Sequence, residues 1–126
     1  MPRKRVLVVE DQFEIGLDIH NVLSDAGFDV VGPMMTIEDA TAAVEKEAID
    51  AAVLDANLNG RNAGPLAAKL KAFGIPFVVV TGYTEPCLPL AVLDAPRITK
   101  PYQAAALIAA VSQLWWTPIP RAERPR

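Results

Sequence analysis

Five short runs rich in β-branched and other apolar residues recur along the chain, each followed by a longer stretch of helical character. They are RVLVV (5–9), FDVVG (28–32), DAAVLD (50–55), PFVVV (76–80) and PRIT (96–99). This alternation is the strongest constraint on the fold. Neighbouring parallel strands need long crossovers, and a helix is the usual one. RVLVV is apolar at nearly every position, as expected of a central parallel strand covered on both faces. At 126 residues the chain fits one domain with a real core. Right-handed crossovers leave few topologies. The predicted architecture is therefore α/β, a doubly wound five-stranded parallel sheet of order 2-1-3-4-5 with helices on both faces.

The segments between the runs carry their own signals. Ile15, Ile19, Val22, Leu23 and Ala26 form a stripe at three- and four-residue spacing, which predicts a helix over 13–26 ended by Gly27. Thr36 is a good N-cap with Asp39 three residues on, so a second helix should run from there to about Ala48. A loop follows the third strand, and Pro65 stands where a first helical residue would stand, with Gly74 closing that helix. Between 83 and 95 the due fourth helix contains Pro86 and Pro89. Proline removes a helix hydrogen bond and clashes with the preceding turn, which predicts a short, displaced or mobile helix. Gln103–Trp116 reads as the last helix. Trp115 and Trp116 point apart on it, one inward and one toward a partner or the tail. TPIPRAERPR (117–126) reads as a flexible tail.

Composition narrows the function class. A net charge of −3 and a pI near 5.1 give no electrostatic case for direct nucleic-acid binding. PRKR at 2–5 reads as a solvated start to the first strand. Apolar residues make up 52% of the chain, too many for a disordered segment. No apolar run is long enough to span a bilayer, and Glu10 and Asp11 interrupt the first one too early for a signal peptide. The single cysteine, Cys87, excludes an internal disulfide and a multi-cysteine metal site, and it reads as a small packing residue. These features suit a cytoplasmic protein without membrane insertion. His20, the one histidine, falls mid-helix away from the acids and reads as a helix-surface residue.

In a doubly wound sheet the ligand edge lies beyond the carboxyl ends of the strands. The first strand delivers Glu10 and Asp11 there, the third Asp55, the fourth Thr81 followed by Gly82, and the fifth Lys100 followed by Pro101. Singly, each has an ordinary explanation as a cap, a turn residue or an exposed charge. Together they place three carboxylates, a hydroxyl and an ammonium at one edge. Such a cluster of acids either raises a pKa or recruits a divalent ion. The donors are all oxygens, which selects Mg²⁺ or Mn²⁺ over zinc. Thr81 and Lys100 then suit phosphate oxygens. An aspartate in this setting can be a nucleophile toward a phosphoryl group.

VLVVED (6–11), VLDANL (53–58), VVTGY (79–83) and TKP (99–101) resemble the receiver domain of two-component response regulators, over about residues 4–116. The boundaries expected are a receiver at 1–116 and the tail at 117–126. The resemblance implies a flavodoxin-like fold and phosphoryl transfer to Asp55 from a sensor histidine kinase or a phosphotransfer protein. It implies that Glu10, Asp11 and Asp55 hold Mg²⁺, with a backbone carbonyl of Asn57. Thr81 would bond the phosphoryl group and move toward it, and Lys100 would pair with a phosphate oxygen. The Lys100–Pro101 peptide would be cis. The output would be a changed contact with a downstream protein. PFVVVTGY (76–83) is similar to a subgroup of short receivers carrying PFxFxTGY, with Val78 and Val80 departing from it.

Two further departures concern the switch. Receivers usually carry an aromatic residue three positions before the lysine, where this chain has Arg97. An arginine cannot bury in that pocket without a partner, so Tyr83 is the alternative switch residue. The prolines at 86 and 89 also put the usual output helix out of place, so phosphorylation is expected to order 83–95 instead. Two other readings compete. One is a phosphorylation-independent adaptor, favoured by Arg97 and the interrupted helix and opposed by the intact acids, Thr81 and Lys100. The other is a Mg²⁺-dependent phosphatase resembling the haloacid dehalogenases, opposed by Asn57, which stands where a second catalytic Asp is needed. No GxxxxGK motif supports a P-loop enzyme. The chain would transfer phosphate only to itself, either as a stand-alone regulator or as part of a longer protein.

Overall fold

In the computed structural model, residues 4–58, 61–81, 96–100 and 102–114 are described. Within them the chain runs β1 (Arg5–Val9), α1 (Phe13–Asp25), β2 (Asp29–Met34), α2 (Ile37–Lys46), β3 (Ala51–Asp55), β4 (Asn57–Leu58), β5 (Arg61–Asn62), α3 (Gly64–Ala72), β6 (Phe77–Thr81), β7 (Arg97–Thr99) and α4 (Ala104–Gln113). The five principal strands form one sheet in the order β2-β1-β3-β6-β7, and every pairing in it is parallel. Counting those five alone, this is the predicted order 2-1-3-4-5.

The all-apolar strands hide a strict alternation. Leu7 and Val9 of β1 join Leu54, Val79 and Phe77 in a cluster closed by Val44 of α2 and Leu66 and Leu70 of α3. Val6 and Val8 join Val53, Val78 and Val80 in a second cluster, closed by Ile19 and Leu23 of α1 and Leu107 and Val111 of α4. Successive side chains point to opposite faces, so each central strand feeds both layers. That is why it cannot carry a polar face.

Helix ends follow the turn chemistry. Gly27 has φ +101°, Phe28 N–H donates to the Leu23 carbonyl at 3.0 Å, and Gly27 N–H donates to Ser24 at 3.0 Å. Gly74 has φ +72° and repeats the arrangement, with Ile75 N–H on Leu70 and Gly74 N–H on Lys71. Both are Schellman ends, and both need a residue that accepts the left-handed conformation. Thr36 caps α2 by accepting from Asp39 N–H at 3.0 Å.

Several boundaries depart from expectation. β2 runs on through Gly32 and Pro33 to Met34, with a register shift against β1 between Leu7 and Val9. It is an edge strand, where the missing proline N–H removes no needed ladder bond. Helix α2 stops at Lys46 instead of near Ala48, and Arg5 donates to the Ala48 carbonyl and to Glu47 just beyond it. Pro65 is the second residue of α3, still among the positions whose N–H has no helical acceptor. The predicted loop after β3 contains a short antiparallel ribbon, β4 with β5. The last helix begins at Ala104, with Gln103 as its N-cap. The interrupted fourth helix at 83–95, Cys87, the tryptophan pair and the 117–126 tail lie outside the described residues. No helix among the described residues is long and apolar enough to cross a membrane.

Candidate functional site

Strands β1, β3, β6 and β7 end side by side because they are adjacent and parallel. Each strand end places a polar residue just past an apolar run. Glu10 follows β1, Asp55 closes β3, Thr81 closes β6 and Lys100 follows β7. Glu10 is 1% exposed, Asp55 4% and Thr81 8%, and these are the buried polar or charged residues among those described. Buried polar and charged groups persist only with partners. One ammonium serves both acids here. Lys100 Nζ donates to Glu10 Oε1 at 3.1 Å and to Asp55 Oδ2 at 3.3 Å. The other Glu10 oxygen, Oε2, accepts from Gln12 N–H at 3.1 Å. No buried side-chain polar atom among the described residues lacks a partner.

The backbone keeps these ends in register. Lys100 N–H donates to the Thr81 carbonyl at 2.7 Å, Ala56 N–H to Val80 at 3.0 Å, and Glu10 N–H to Met34 at 3.0 Å. A small-residue contact supports the first strand end. Gly16 of α1 lies against Pro33, and a Cβ there would fall 2.7 Å from the proline Cβ.

Electrostatics follows from this crowding. The Glu10 carboxyl is pushed up to about 8, first by burial and then by its hydrogen-bonding neighbours Asp11 and Asp55. Burial pulls the Lys100 ammonium down, but Asp55 and then Glu10 outweigh it, so its pKa rises above the usual lysine value. Glu10, half-buried Asp11 and Asp55 each offer a carboxylate oxygen, all within 4.8 Å of one another. An all-oxygen, acidic set of this size fits a hard divalent ion such as Mg²⁺.

The predicted site residues divide clearly. Glu10, Asp11, Asp55 and Lys100 meet at one edge, and Thr81 ends the neighbouring strand. Asn57 lies two residues past Asp55 in β4, where it pairs with Asn62. Arg97 lies in edge strand β7, in register with Val79, and is exposed. Tyr83 and the Lys100–Pro101 peptide lie outside the described residues. The cis peptide bond seen among the described residues is Gly32–Pro33.

Two residues went unsignalled by the sequence pattern. Tyr102 donates its hydroxyl to Asp18 Oδ2 of α1 at 3.1 Å. The two lie 84 positions apart, beyond any local periodicity. His20 is also more than a surface residue. It is half-buried, and its Nδ1 lies 3.0 Å from the Gly32 carbonyl, so Nδ1 carries the proton and donates.

Comparison with known proteins gives this edge a family. The chain matches the response regulator receiver domain over residues 6–112 and belongs to that family. It is a signalling fold of two-component systems, not a classical enzyme family. The chain is 33% identical to SdrG from Sphingomonas melonis Fr1, whose solution structure superposes with a TM-score of 0.80 over 91% of this chain and 99% of that one. A receiver protein from Sinorhizobium medicae WSM419 is 26% identical, with a TM-score of 0.75 over 89% of this chain and 94% of that one. Among curated proteins, the transcriptional regulatory protein PdtaR of Mycobacterium tuberculosis is 27% identical over 112 residues, covering 86% of this chain. The chain spans about half the length of PdtaR, 55% of it.

Proposed function

We propose that this receiver accepts a phosphoryl group on Asp55 from the phosphohistidine of a sensor histidine kinase or phosphotransfer protein, in the cytoplasm, and so changes its contacts with a downstream protein. The observation that carries the reading is the Lys100 ammonium, shared between Glu10 and Asp55 at the strand ends. An adaptor with no phosphate to bind could carry apolar residues in place of the whole charged set at little cost in stability. An Asp55 oxygen attacks phosphorus, the P–N bond to the donor imidazole breaks, and the electron pair leaves with the imidazole nitrogen. Lys100 then has a phosphoryl oxygen to pair with in place of the carboxylate. Thr81, one strand over, supplies a hydroxyl to the same group.

Glu10, Asp11 and Asp55, with the Asn57 carbonyl, would hold Mg²⁺. When bound, the ion would neutralise charge on the transferred group. Burial keeps Asp55 from bulk water, which restricts the phosphoryl group to donors that dock at this edge. Tyr83 and Arg97 remain the candidates for carrying the change to the output surface.

The test is intact mass after incubation with acetyl phosphate, with and without Mg²⁺. A Mg²⁺-dependent gain of one phosphoryl group that Asp55→Asn abolishes is the expected result. A gain that survives the substitution would place the acceptor elsewhere.

A further inference from the structure

Lys100 is held from two sides. Toward β6, its own N–H donates to the Thr81 carbonyl at 2.7 Å. Toward α1, Tyr102 lies two residues on and reaches Asp18 Oδ2 at 3.1 Å. The Tyr102 ring packs against the cluster of Val6, Val8, Val80 and Leu107. Glu14, Ile15, Asp18, Lys100 and Tyr102 line one groove beside the acids, so the lysine and the phenol share a wall. Burial, and then the Asp18 carboxylate, raise the Tyr102 pKa above the usual phenol value. The hydroxyl therefore stays a donor at physiological pH. Only one residue separates the two side chains, so freedom at Tyr102 passes directly to the backbone that carries Lys100.

We propose that the Tyr102–Asp18 hydrogen bond is a positioning contact for phosphoryl transfer, fixing the chain beyond β7 against α1 so that the Lys100 ammonium stays aimed at Asp55. The proposal rests on the phosphoacceptor reading above. Tyr102 has no contact with the reacting atoms and acts through the lysine. The bond is longer than a strong phenol–carboxylate bond and is partly open to water, so its effect on rate is moderate.

The experiment uses Tyr102→Phe and Asp18→Ala, each in the otherwise native chain and with Lys100→Ala. Phosphoryl incorporation from acetyl phosphate is followed by intact mass, and the Lys100 ammonium by nitrogen-15 NMR. Each single substitution is expected to slow incorporation roughly three- to tenfold, which is about 0.7–1.4 kcal/mol, and their combination to slow it no further. In the Lys100→Ala background, Tyr102→Phe is expected to leave the remaining rate unchanged. Any loss in thermal midpoint, by contrast, should appear in both backgrounds. A Tyr102→Phe rate equal to the native one, or a slowing that persists without Lys100, would overturn the proposal. Native protein that takes up no phosphoryl group from acetyl phosphate would count against small donors alone, and the acceptor reading would then be tested with a phosphohistidine donor. The NMR arm still reads the contact in that case: an altered ammonium signal in Tyr102→Phe supports it, and an unaltered one overturns it.

Discussion

Gly16→Ala should destabilise the protein even though alanine is the better helix former. Gly16 lies inside α1, where exchanging glycine for alanine ordinarily gains about 1 kcal/mol. Here the new Cβ would meet Pro33 Cβ at 2.7 Å and Cγ at 3.1 Å, where ordinary van der Waals contact begins near 3.4 Å. The proline ring is fixed to its own backbone and cannot rotate away. That backbone is held in turn by Glu10 N–H on the Met34 carbonyl and by His20 on the Gly32 carbonyl. Helix and strand must therefore separate by several tenths of an ångström. Overpacking of this kind costs about 1–3 kcal/mol. Set against the helix gain, the net loss is about 1 kcal/mol. For a domain of this size that lowers the thermal midpoint by about 4 °C. In urea it lowers the midpoint by roughly 0.5 M with an unchanged slope. The new methyl would stand 3.5 Å from Glu10 Cβ, an ordinary contact, so the acid itself is not struck. A variant as stable as the native chain, or more stable, would refute the reasoning, because it would show that the α1–β2 seam opens freely.

Four further outcomes follow from burial and charge. Glu10 titrates near 8 when folded against 4.5 as its ordinary value, so the folded state holds the extra proton between those limits. In Mg²⁺-free buffer its contribution is therefore complete below about pH 4.5 and falls as pH rises through about 8, by at most about 1.4 kcal/mol per unit. Denaturant titrations at pH 6, 7 and 8 should show the decline, and Glu10→Gln should flatten it. Leu70→Ala removes a side chain with no exposed surface and should lose about 2–5 kcal/mol. Phe73→Ala, three residues on and 53% exposed, should lose under about 1 kcal/mol, chiefly its contact with the Lys69 ammonium 5.5 Å away. Arg5→Ala removes a partly exposed guanidinium from Glu47 at 2.8 Å and Asp29 at 3.5 Å, and should lose about 1 kcal/mol at low salt and less at 1 M.

Legibility in the sequence tracked the range of the interaction. The strand runs, Schellman glycines and the Thr36 cap are local, and each took shape close to where its residues predicted. The alternation of Val6 and Val8 against Leu7 and Val9 left no polar trace, so only packing shows which face each serves. The β4–β5 ribbon could have been read from Asn59–Gly60 between two short runs, a hairpin signal. The continuation of β2 past Pro33 could not, because the proline is tolerated only at an edge, and edge position is a property of the assembled sheet.

The site divides the same way. Parallel topology brings strand ends together whatever lies between them, so Glu10, Asp11, Asp55, Thr81 and Lys100 could be grouped from their places after apolar runs. Topology fixes where backbones end but not how side chains are held there. Glu10 illustrates the difference. Its position was foreseen, but its shared lysine and raised pKa come from a carboxyl with 1% exposure beside two other acids. Tyr102 and Asp18 go a step further, since neither follows a strand nor belongs to a motif, and only the crossing of α1 past the chain beyond β7 makes them neighbours. Contacts between two elements are thus harder to read than residues at strand ends. Their constraint is a distance between two elements, and a linear pattern records no such distance.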